Sequence, residues 1–530
     1  MPEPADTPDA GTEVSPDVAP IALTVDGEAV EVPDDGASLL EALRDRLGHR
    51  SPKDGCSPQG QCGCCTVLVD GAARVACVTP VRRMAGRSVT TVDGLDRDQR
   101  DAWGTALCAS GGSQCGFCTP GIVVRLAALR ATTSDPTNHA PVHRALQAHL
   151  CRCTGWQTII EAWDRFGDPA PERDLEAASR RATIEGRTAQ RVDAKVALGR
   201  GGFADDGAPA DALVAIADGR GGWCIAETLT EARRQAGKVQ GRRTTVVSPP
   251  PLVLPPGPWA ATLRTSWVEP AYLETDATWC APGDEPATSL ANGGAFGAKT
   301  GPGLGAVARA LADRHGRAVR VLWSREDAVR GGAKRPPVAG GVLADGSGRL
   351  RVARTPGIET AVASAAPGLV VEPVDVAGPP TSSRARAAGW AEAVVLLAGA
   401  RGTTEPVHGP DGGVAEAEVR NGRIGVRVAA GDPLDGTVLR SYAIGAAHMA
   451  FGWVTAESLA VDDEGVVHDL TIRSFGVPRA IDTPPIDVEI HATPGPAVNG
   501  SDAVFAAVAA ALWLHQGCPT DWPTTRGITP

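Results

Sequence analysis

"DGCSPQGQCGCCTVLVDG", residues 54 to 71, places four cysteines in a glycine-containing loop that runs directly into an apolar strand. Cys56 precedes a C-x2-C pair formed by Cys62 and Cys65, and Cys64 lies inside that pair. Glycines suit such a loop, because they tolerate unusual dihedral angles and allow backbone N–H groups to approach closely. The stretch therefore predicts a loop that binds metal through sulfur, followed by a β-strand.

A fourth thiol for this site lies a short distance downstream. The segment "CTVLVDGAARVAC" predicts a hairpin that turns at Asp70-Gly71 and brings Cys77 back on the return strand. The plant-type ferredoxin pattern is C-x4-C-x2-C with a distant fourth cysteine, and here the first gap is one residue longer. The expected ligands of a two-iron cluster are Cys56, Cys62, Cys65 and Cys77. A structural zinc site, which also uses C-x2-C, is the alternative.

The residues before this loop complete a small fold. "IALTVDGEAVEV", residues 21–32, predicts two short strands that turn at Asp26-Gly27, and "ASLLEALRDRL" then has apolar residues at helical spacing. Strand, strand, helix, loop and hairpin is a β-grasp order. We expect a ferredoxin-like domain over residues 20–95.

A second cysteine set follows in a segment of helical periodicity, residues 96–166. "QCGFCTPG" contains Cys115 and Cys118, and "LCRCTGW" contains Cys151 and Cys153. Thr119 and Pro120 occupy the positions of an N-cap and a first helical residue, so the cysteines lie at predicted helix starts. Helix N-termini favour negative charge, which suits a site of four thiolates. The remaining cysteines have no such pattern and are expected to be small buried residues: Cys64, Cys108, Cys224, Cys280 and Cys518.

Composition limits the function further. The chain has 530 residues, enough for several domains, and a formal charge of -11 that provides no basic surface for nucleic acid. Its 13 cysteines are an odd number concentrated before residue 154, which favours metal or redox chemistry over disulfides. We find no apolar run of membrane-spanning length and no signal-peptide pattern, and expect a cytoplasmic protein. Residues 1–19 are rich in Pro, Asp and Glu and predict a disordered tail.

The two cysteine sets together resemble the iron–sulfur subunit of the xanthine dehydrogenase family, the molybdenum hydroxylases. The resemblance covers about residues 20–166 and implies two [2Fe-2S] clusters, an outer one nearer flavin and an inner one nearer molybdopterin. It assigns the first four ligands to the outer cluster and Cys115, Cys118, Cys151 and Cys153 to the inner cluster. It also matches Gln114 to the residue that contacts the molybdopterin.

The rest of the chain resembles a shortened form of the same family's large molybdenum subunit. Residues 167–191 predict a linker with one helix, and residues 192–530 form the shortened region. "LANGGAFGAKT" resembles the family's glycine-rich loop, and "PPTSSRARAAGWAEA" places Arg386 at the family's arginine. "GAFGAKT" also differs by one residue from a nucleotide-binding P-loop, but no apolar strand precedes it.

Two features of the shortened region argue against a complete active site. Much of the family's second half is missing between Arg401 and Gly431, and "NGSDAV" replaces the family's G-x-G-E, which carries the catalytic base. Asp502 neighbours the position of that base, and Ala503 is its ungapped match. We assign no catalytic residue. A reduced fold of this kind is expected to expose apolar surface that a partner covers.

The expected fold class is therefore α+β multidomain: a β-grasp ferredoxin-like domain, a four-helix [2Fe-2S] domain and a reduced α/β molybdopterin-subunit-like region. The expected function is electron transfer in a molybdenum-hydroxylase-like oxidoreductase. The resemblance implies a partner chain that binds molybdopterin and another that binds FAD, with no nucleic-acid or membrane partner. A self-contained molybdopterin hydroxylase and a zinc-binding scaffold without redox activity are the alternatives.

Overall fold

A computed structural model describes residues 20–238, 246–299 and 303–525. The predicted disordered tail, residues 1–19, lies outside these ranges. The described residues form helices and four β-sheets in several units, which confirms the mixed α/β multidomain architecture. No helix among them is long and apolar enough to cross a membrane.

The first unit is a five-stranded sheet with strand order β2-β1-β5-β3-β4, in which only the β1–β5 pair is parallel. Both predicted hairpins are present, because Asp26-Gly27 and Asp70-Gly71 adopt positive φ at both turn residues, as a tight two-residue hairpin turn requires. The predicted helix is short and continues as a π-helical turn over Ala42–Arg46. The elements are β1 (Ile21–Val25), β2 (Glu28–Val32), α1 (Leu39–Glu41), β3 (Thr66–Val69), β4 (Ala72–Val75) and β5 (Ser88–Thr90).

Four helices follow, and the first and last of them pack together. Asp96 caps the first helix by accepting hydrogen bonds from the N–H groups of Asp98 and Gln99. The second helix begins one position earlier than predicted, because Thr119 is its first helical residue and not its N-cap. Cys118 is the N-cap and makes no side-chain capping bond. The helices are α2 (Arg97–Ser110), α3 (Thr119–Arg130), α4 (Ala140–Leu146) and α5 (Gln157–Asp164).

The next segment contains a four-stranded sheet with helices on opposite faces. Its strand order is β7-β6-β10-β9, and the apolar residues of β6 alternate between the helix α9 on one face and α8 on the other. The elements of this segment are α6 (Leu175–Gly186), α7 (Ala194–Ala197), β6 (Leu213–Ala217), β7 (Trp223–Ala226), α8 (Leu229–Gln235), β8 (Ala261–Thr265), β9 (Ala277–Cys280), α9 (Leu304–His315), β10 (Val319–Leu322) and α10 (Arg325–Gly331).

The remaining residues complete two further sheets, β13-β12-β11-β8-β18 and β14-β15-β16-β17. Two long helices, α13 and α14, pack against each other between these elements and are buried along most of their length. The elements are β11 (Val338–Val342), β12 (Gly348–Ala353), α11 (Ile358–Ala365), β13 (Leu369–Val374), α12 (Trp390–Arg401), β14 (Val407–His408), β15 (Val414–Arg420), β16 (Arg423–Ala429), α13 (Gly436–Thr455), β17 (Ile486–Ile490), α14 (Ser501–His515) and β18 (Asp521–Trp522).

One hydrophobic core runs from the first sheet through the four helices into α13 and α14. The segment predicted as a linker contributes α6, whose Arg181 and Glu185 are fully buried and which packs against α13. The expected broad apolar surface is not seen in the described residues. Their exposed large apolar side chains are Val78, Leu175, Val246, Val247, Val253, Val370, Val466 and Ile481. The prediction was wrong because α13 and α14 bury their apolar faces within this chain.

Candidate metal centres

The outer set, defined as Cys56, Cys62, Cys65 and Cys77, is gathered by the loop before β3 and by the turn after β4. All four side chains are buried. The Cys56 thiol lies within hydrogen-bonding reach of the Cys62 and Cys77 thiols; sharing of protons with them lowers the pKa of Cys56 well below its usual range and raises theirs. The backbone N–H of Cys77 donates to Sγ of Cys65 over 3.4 Å. The set can thus supply thiolate, which is the form of cysteine that binds metal.

The inner set, defined as Cys115, Cys118, Cys151 and Cys153, is gathered by the loops that lead into α3 and α5. Sγ of Cys115 lies 3.5 Å from Sγ of Cys153. A hydrogen bond from the Cys118 thiol is the largest contribution that lowers the pKa of Cys151 to about 6, and the Thr154 hydroxyl, 3.1 Å from its sulfur, assists. Within this set, Cys151 is thus the thiol whose thiolate form is favoured by its neighbours.

Within each set, the thiols lie close to one another. All thirteen cysteines are free, so no disulfide competes for them. In the described part of the chain, no three Cys, His, Asp or Glu side chains stand in the arrangement of a single-ion site.

A backbone hydrogen bond joins the two sets. The N–H of Leu150, the residue before Cys151, donates to the carbonyl oxygen of Cys62 over 3.0 Å. On the same side, Gly121 of α3 packs so closely on the loop that a Cβ atom there would lie 2.3 Å from the Gly63 carbonyl oxygen. The sequence predicted each set and did not predict this contact, since it joins residues far apart in the chain.

Cys64 lies between the outer set and the α3 loop. It is fully buried, and burial raises the pKa of its thiol, which favours the protonated form. A Cβ atom on Gly55 would lie 3.2 Å from Sγ of Cys64 and 3.1 Å from Sγ of Cys62, so a side chain there would require the neighbouring sulfur atoms to shift. Of the other cysteines outside both sets, Cys280 is buried as predicted, whereas Cys108, Cys224 and Cys518 are only partly buried.

The C-terminal region covers the outer loop through Gln59, whose amide nitrogen donates to Oε1 of Glu326 and to the Leu470 carbonyl, each over 2.8 Å. Its Oε1 accepts a hydrogen bond from the N–H of Ile472. The sequence did not predict that Gln59 connects the outer loop to the C-terminal region. Its position between two proposed ligands was the only local signal.

A buried ionic network holds the same loop from another side. Nζ of Lys53 lies 2.5 Å from Oδ2 of Asp206 and donates to the Gly199 carbonyl over 2.8 Å. Arg44 pairs with Asp205 over 2.7 Å beside it. The network borders a cleft of about 660 Å³, and it ties the loop to the segment before β6.

The inner set is covered by this chain's own C-terminal region. Nε2 of Gln114 donates to the carbonyl oxygen of Cys153 and to Oγ of Ser441 in α13, each over 3.0 Å. Gly294, in the glycine-rich loop, lies so close to Cys153 that a Cβ atom there would be 2.5 Å from its Sγ. Gln114 is 7% exposed, so it lies inside this chain and not at a surface open to another chain.

The glycine-rich loop is anchored by an ion pair between Lys299 and Glu274, with Nζ and Oε2 2.8 Å apart. Burial raises the pKa of Glu274 to about 7, while Lys299 opposes that rise. The lysine that a P-loop would direct at phosphate is thus paired with a carboxylate. Thr300, the last residue of the P-loop-like segment, lies outside the described residues.

A cleft of about 350 Å³ lies beside the inner set. The buried carboxylate of Glu457 on its wall is bound by both terminal nitrogens of Arg152, over 2.6 and 2.8 Å. Arg386 also lines the cleft; its Nη1 lies 3.1 Å from Oγ of Ser501 and 3.6 Å from Oδ1 of Asp502. Asp502 in turn pairs with Arg187 over 2.5 Å. Arginine thus binds both oxygens of Glu457 and Oδ2 of Asp502, whereas Oδ1 of Asp502 is buried without a hydrogen-bond partner.

Comparison with known proteins places this architecture in a family. Residues 23–82 match the 2Fe-2S iron-sulfur cluster binding domain, and residues 91–164 match the [2Fe-2S] binding domain. The chain is 37% identical over 141 residues to a probable xanthine dehydrogenase subunit of Bacillus subtilis, and the match covers 26% of this chain and 80% of that protein. This chain belongs to the xanthine dehydrogenase family. It is an iron–sulfur electron-transfer component of that oxidoreductase family.

Longer relatives of this xanthine dehydrogenase family chain share the same N-terminal part. It is 38% identical over 167 residues to the aldehyde oxidoreductase of Megalodesulfovibrio gigas, covering 29% of this chain and 18% of that protein. Against the xanthine dehydrogenase of Drosophila pseudoobscura it is 40% identical over 146 residues, 11% of that protein. The chain thus spans most of the Bacillus protein and a small part of the longer enzymes.

The fold likeness extends over the C-terminal region of this xanthine dehydrogenase family chain. The structure of the Desulfovibrio gigas aldehyde oxidoreductase matches with a TM-score of 0.66 at 15% identity, covering 93% of this chain and 97% of that one. The enzyme from Desulfovibrio desulfuricans matches with the same TM-score at 14% identity. At such identities the likeness establishes the fold and not the chemistry.

Proposed function

We propose that the outer and inner sets each hold a [2Fe-2S] cluster and that the chain relays electrons between a molybdopterin site and a further acceptor. The observation that carries this proposal is the pair of buried all-cysteine sets, joined by the hydrogen bond from Leu150 to Cys62. The clusters would supply one-electron transfer chemistry.

The fold of the N-terminal part supports this assignment. The strand order β2-β1-β5-β3-β4 with α1 is that expected of a β-grasp ferredoxin-like domain over residues 20–95. Helices α2 to α5 supply the four helices expected over residues 96–166. The outer set lies in the first unit and the inner set lies in the second.

The cysteines fit such clusters in their donor chemistry. Each set offers four sulfur atoms shielded from water, and [2Fe-2S] clusters are held by four cysteine thiolates. Backbone N–H groups already point at sulfur, as Gln59 does at Sγ of Cys56 over 3.2 Å and Cys77 does at Cys65. Hydrogen bonds of this kind stabilise negative charge on sulfur.

A molybdenum hydroxylase centre does not fit the cleft beside the inner set. A proton-abstracting carboxylate has to be free to accept a proton, whereas both oxygens of Glu457 are bound by Arg152, and Asp502 is paired with Arg187 and lies 3.6 Å from Arg386. Ala503, at the position matched to the family's catalytic base, is a buried apolar residue of α14. We therefore propose that molybdopterin is held by a large partner subunit and FAD by another chain. Their complex would be cytoplasmic, and the C-terminal region of this chain would act as a docking scaffold.

A second candidate is a self-contained hydroxylase with molybdopterin in this chain. The position of the cleft supports this candidate. Arg152 lines the cleft and directly precedes Cys153, so a cofactor bound there would lie close to the inner set. Gln114 is also enclosed by this chain, so a partner's cofactor could not contact it without displacing α13.

Metal analysis and electron paramagnetic resonance test these proposals. The purified chain is expected to be red-brown, to contain about four irons, and to give two distinct signals after reduction. Cys115→Ser should remove one signal and spare the other. A colourless protein with stoichiometric zinc would contradict the redox assignment.

Molybdenum content separates the two candidates. We expect the isolated chain to hold less than roughly a tenth of an equivalent, because the shortened region lacks residues that would enclose a pterin. It should co-purify from its native host with a separate molybdopterin-binding chain. Full molybdenum occupancy with substrate-dependent reduction of the clusters would favour the self-contained enzyme.

A further inference from the structure

Arg325, the first residue of α10, is fully buried beside the outer set. Nη2 donates to the carbonyl oxygen of Gly55 over 2.5 Å and to that of Leu273 over 2.8 Å, and Nη1 donates to that of Tyr272 over 2.9 Å. Nε is buried without a hydrogen-bond partner. Gly55 directly precedes the proposed ligand Cys56, so this guanidinium is hydrogen-bonded to the outer loop itself.

Arg325 forms no ion pair with a carboxylate among the described residues. The buried carboxylates of Glu269 and Asp276 interact with Tyr272, whose carbonyl oxygen Arg325 binds. Four cationic side chains there are less than 2% exposed, and three of them pair with an acid. Those pairs are Lys53–Asp206, Arg181–Glu185 and Lys334–Glu269. Arg325 is the fourth and bonds only to carbonyl groups. A buried cation without an ion pair of its own is costly, so a nearby negative charge is expected to compensate it.

A second guanidinium contacts the same loop from the segment after α13. Nε of Arg473 donates to the carbonyl oxygen of Gln61 over 3.0 Å, and Nη2 donates to that of Gln147 over 2.8 Å. Gln61 directly precedes Cys62. Arg473 is only partly buried, and within the described ranges it forms no ion pair. The C-terminal region thus directs two positive charges at the outer set.

We propose that Arg325, assisted by Arg473, is the counter-charge of the outer cluster and raises its reduction potential. The inference rests on the proposed function. A cluster bound by four thiolates is anionic and gains another negative charge on reduction, so a fixed positive charge nearby favours the reduced form. The interaction is strong for Arg325 because water is excluded, and it is weaker for the more exposed Arg473. By raising the potential of the outer cluster, the C-terminal region would favour electron transfer from the inner cluster to the outer cluster.

A redox titration of the purified full-length chain, with dithionite as reductant and paramagnetic resonance as readout, tests the proposal. Arg325→Gln removes the charge and keeps donors for the carbonyls, so the outer signal should shift to lower potential while the inner potential stays unchanged. Arg325→Lys keeps the charge and should retain most of the wild-type potential. Arg330→Gln is the matched control, because it removes an exposed charge from the same helix and should shift neither signal.

The outcomes separate the inference from the proposed function. A wild-type chain without iron would contradict the proposed function itself. Two intact clusters with an unchanged outer potential in Arg325→Gln would overturn the inference alone. If that variant fails to fold, Arg473→Gln provides the test, since replacing its partly exposed side chain should destabilise the fold less. Arg473→Gln should lower the outer potential by a smaller amount than Arg325→Gln. An unchanged outer potential would overturn the inference.

Discussion

The N–H of Leu150 donates to the carbonyl oxygen of Cys62 over 3.0 Å, and this contact places the residue before Cys151 against a proposed ligand of the other set. The hydrogen bond connects the loop of the outer set directly to the loop of the inner set. A displacement of one loop relative to the other would break this bond.

Cys64 is expected to be dispensable for metal binding. Its buried thiol has a raised pKa, and the C-x2-C pair uses the cysteines on either side of it. Cys64→Ala should retain the full iron content and both paramagnetic signals, whereas Cys65→Ala, the matched control, should lose about half of the iron. Loss of the outer signal from Cys64→Ala would show that the ligand register of the loop is different.

Gly294→Ala should damage the inner set specifically. The added Cβ would lie 2.5 Å from Sγ of Cys153, and φ at this position is +85°. Gly316→Ala introduces a comparable φ strain at +64° with no atom within 4 Å, and should cost only about 1–2 kcal/mol. Iron content and thermal unfolding of both variants measure the difference. Equal iron content in the two variants would show that the glycine-rich loop can shift away from Cys153 without loss of the inner cluster.

Breaking the buried ion pair of Arg152 and Glu457 should be strongly destabilising. Both side chains are at most 3% exposed, so Glu457→Gln leaves a buried guanidinium without its counter-charge and should cost about 3–5 kcal/mol. Asp375→Asn breaks the exposed pair with Arg354 and should leave the free energy of unfolding nearly unchanged. Denaturant unfolding measures the free energy of unfolding of both variants. Similar decreases for Glu457→Gln and Asp375→Asn would argue against the burial of the Arg152–Glu457 pair.

The pair of His49 and Asp26 predicts a pH-dependent contribution to stability. A hydrogen bond with Asp26, 3.2 Å from Nδ1, is the largest cause that raises the pKa of His49 above its usual value. A raised folded-state pKa stabilises the fold below the unfolded value of about 6.5, and this stabilisation is lost as pH rises through the folded value.

His49→Gln should accordingly lower the urea midpoint more at about pH 5.5 than at about pH 8.5. His139→Gln is the control, since its pair with Asp164 is more exposed and should show a smaller difference. An effect of the first substitution that does not change with pH would exclude the ionic contribution.

The sequence predicted features whose determinants are local. Asp26-Gly27 and Asp70-Gly71 adopt the left-handed geometry of tight hairpin turns, and the C-x2-C and C-x-C spacings lie in loops that bring cysteines together. The placement of Gln114 against Ser441 and of Gly294 against Cys153 could not be predicted, because each contact depends on how the C-terminal region packs. Arg325 carries no local pattern that distinguishes it from a surface arginine.

The coverage of Cys153 imposes an order on the maturation of this protein. Gly294 stands against its sulfur, and Gly445 of α13 packs so closely on its carbonyl oxygen that no side chain fits between them. Iron and sulfide delivered by an assembly machinery would have no access once these two segments have closed. Insertion of the proposed inner cluster is therefore expected to precede the closure of these two segments over Cys153.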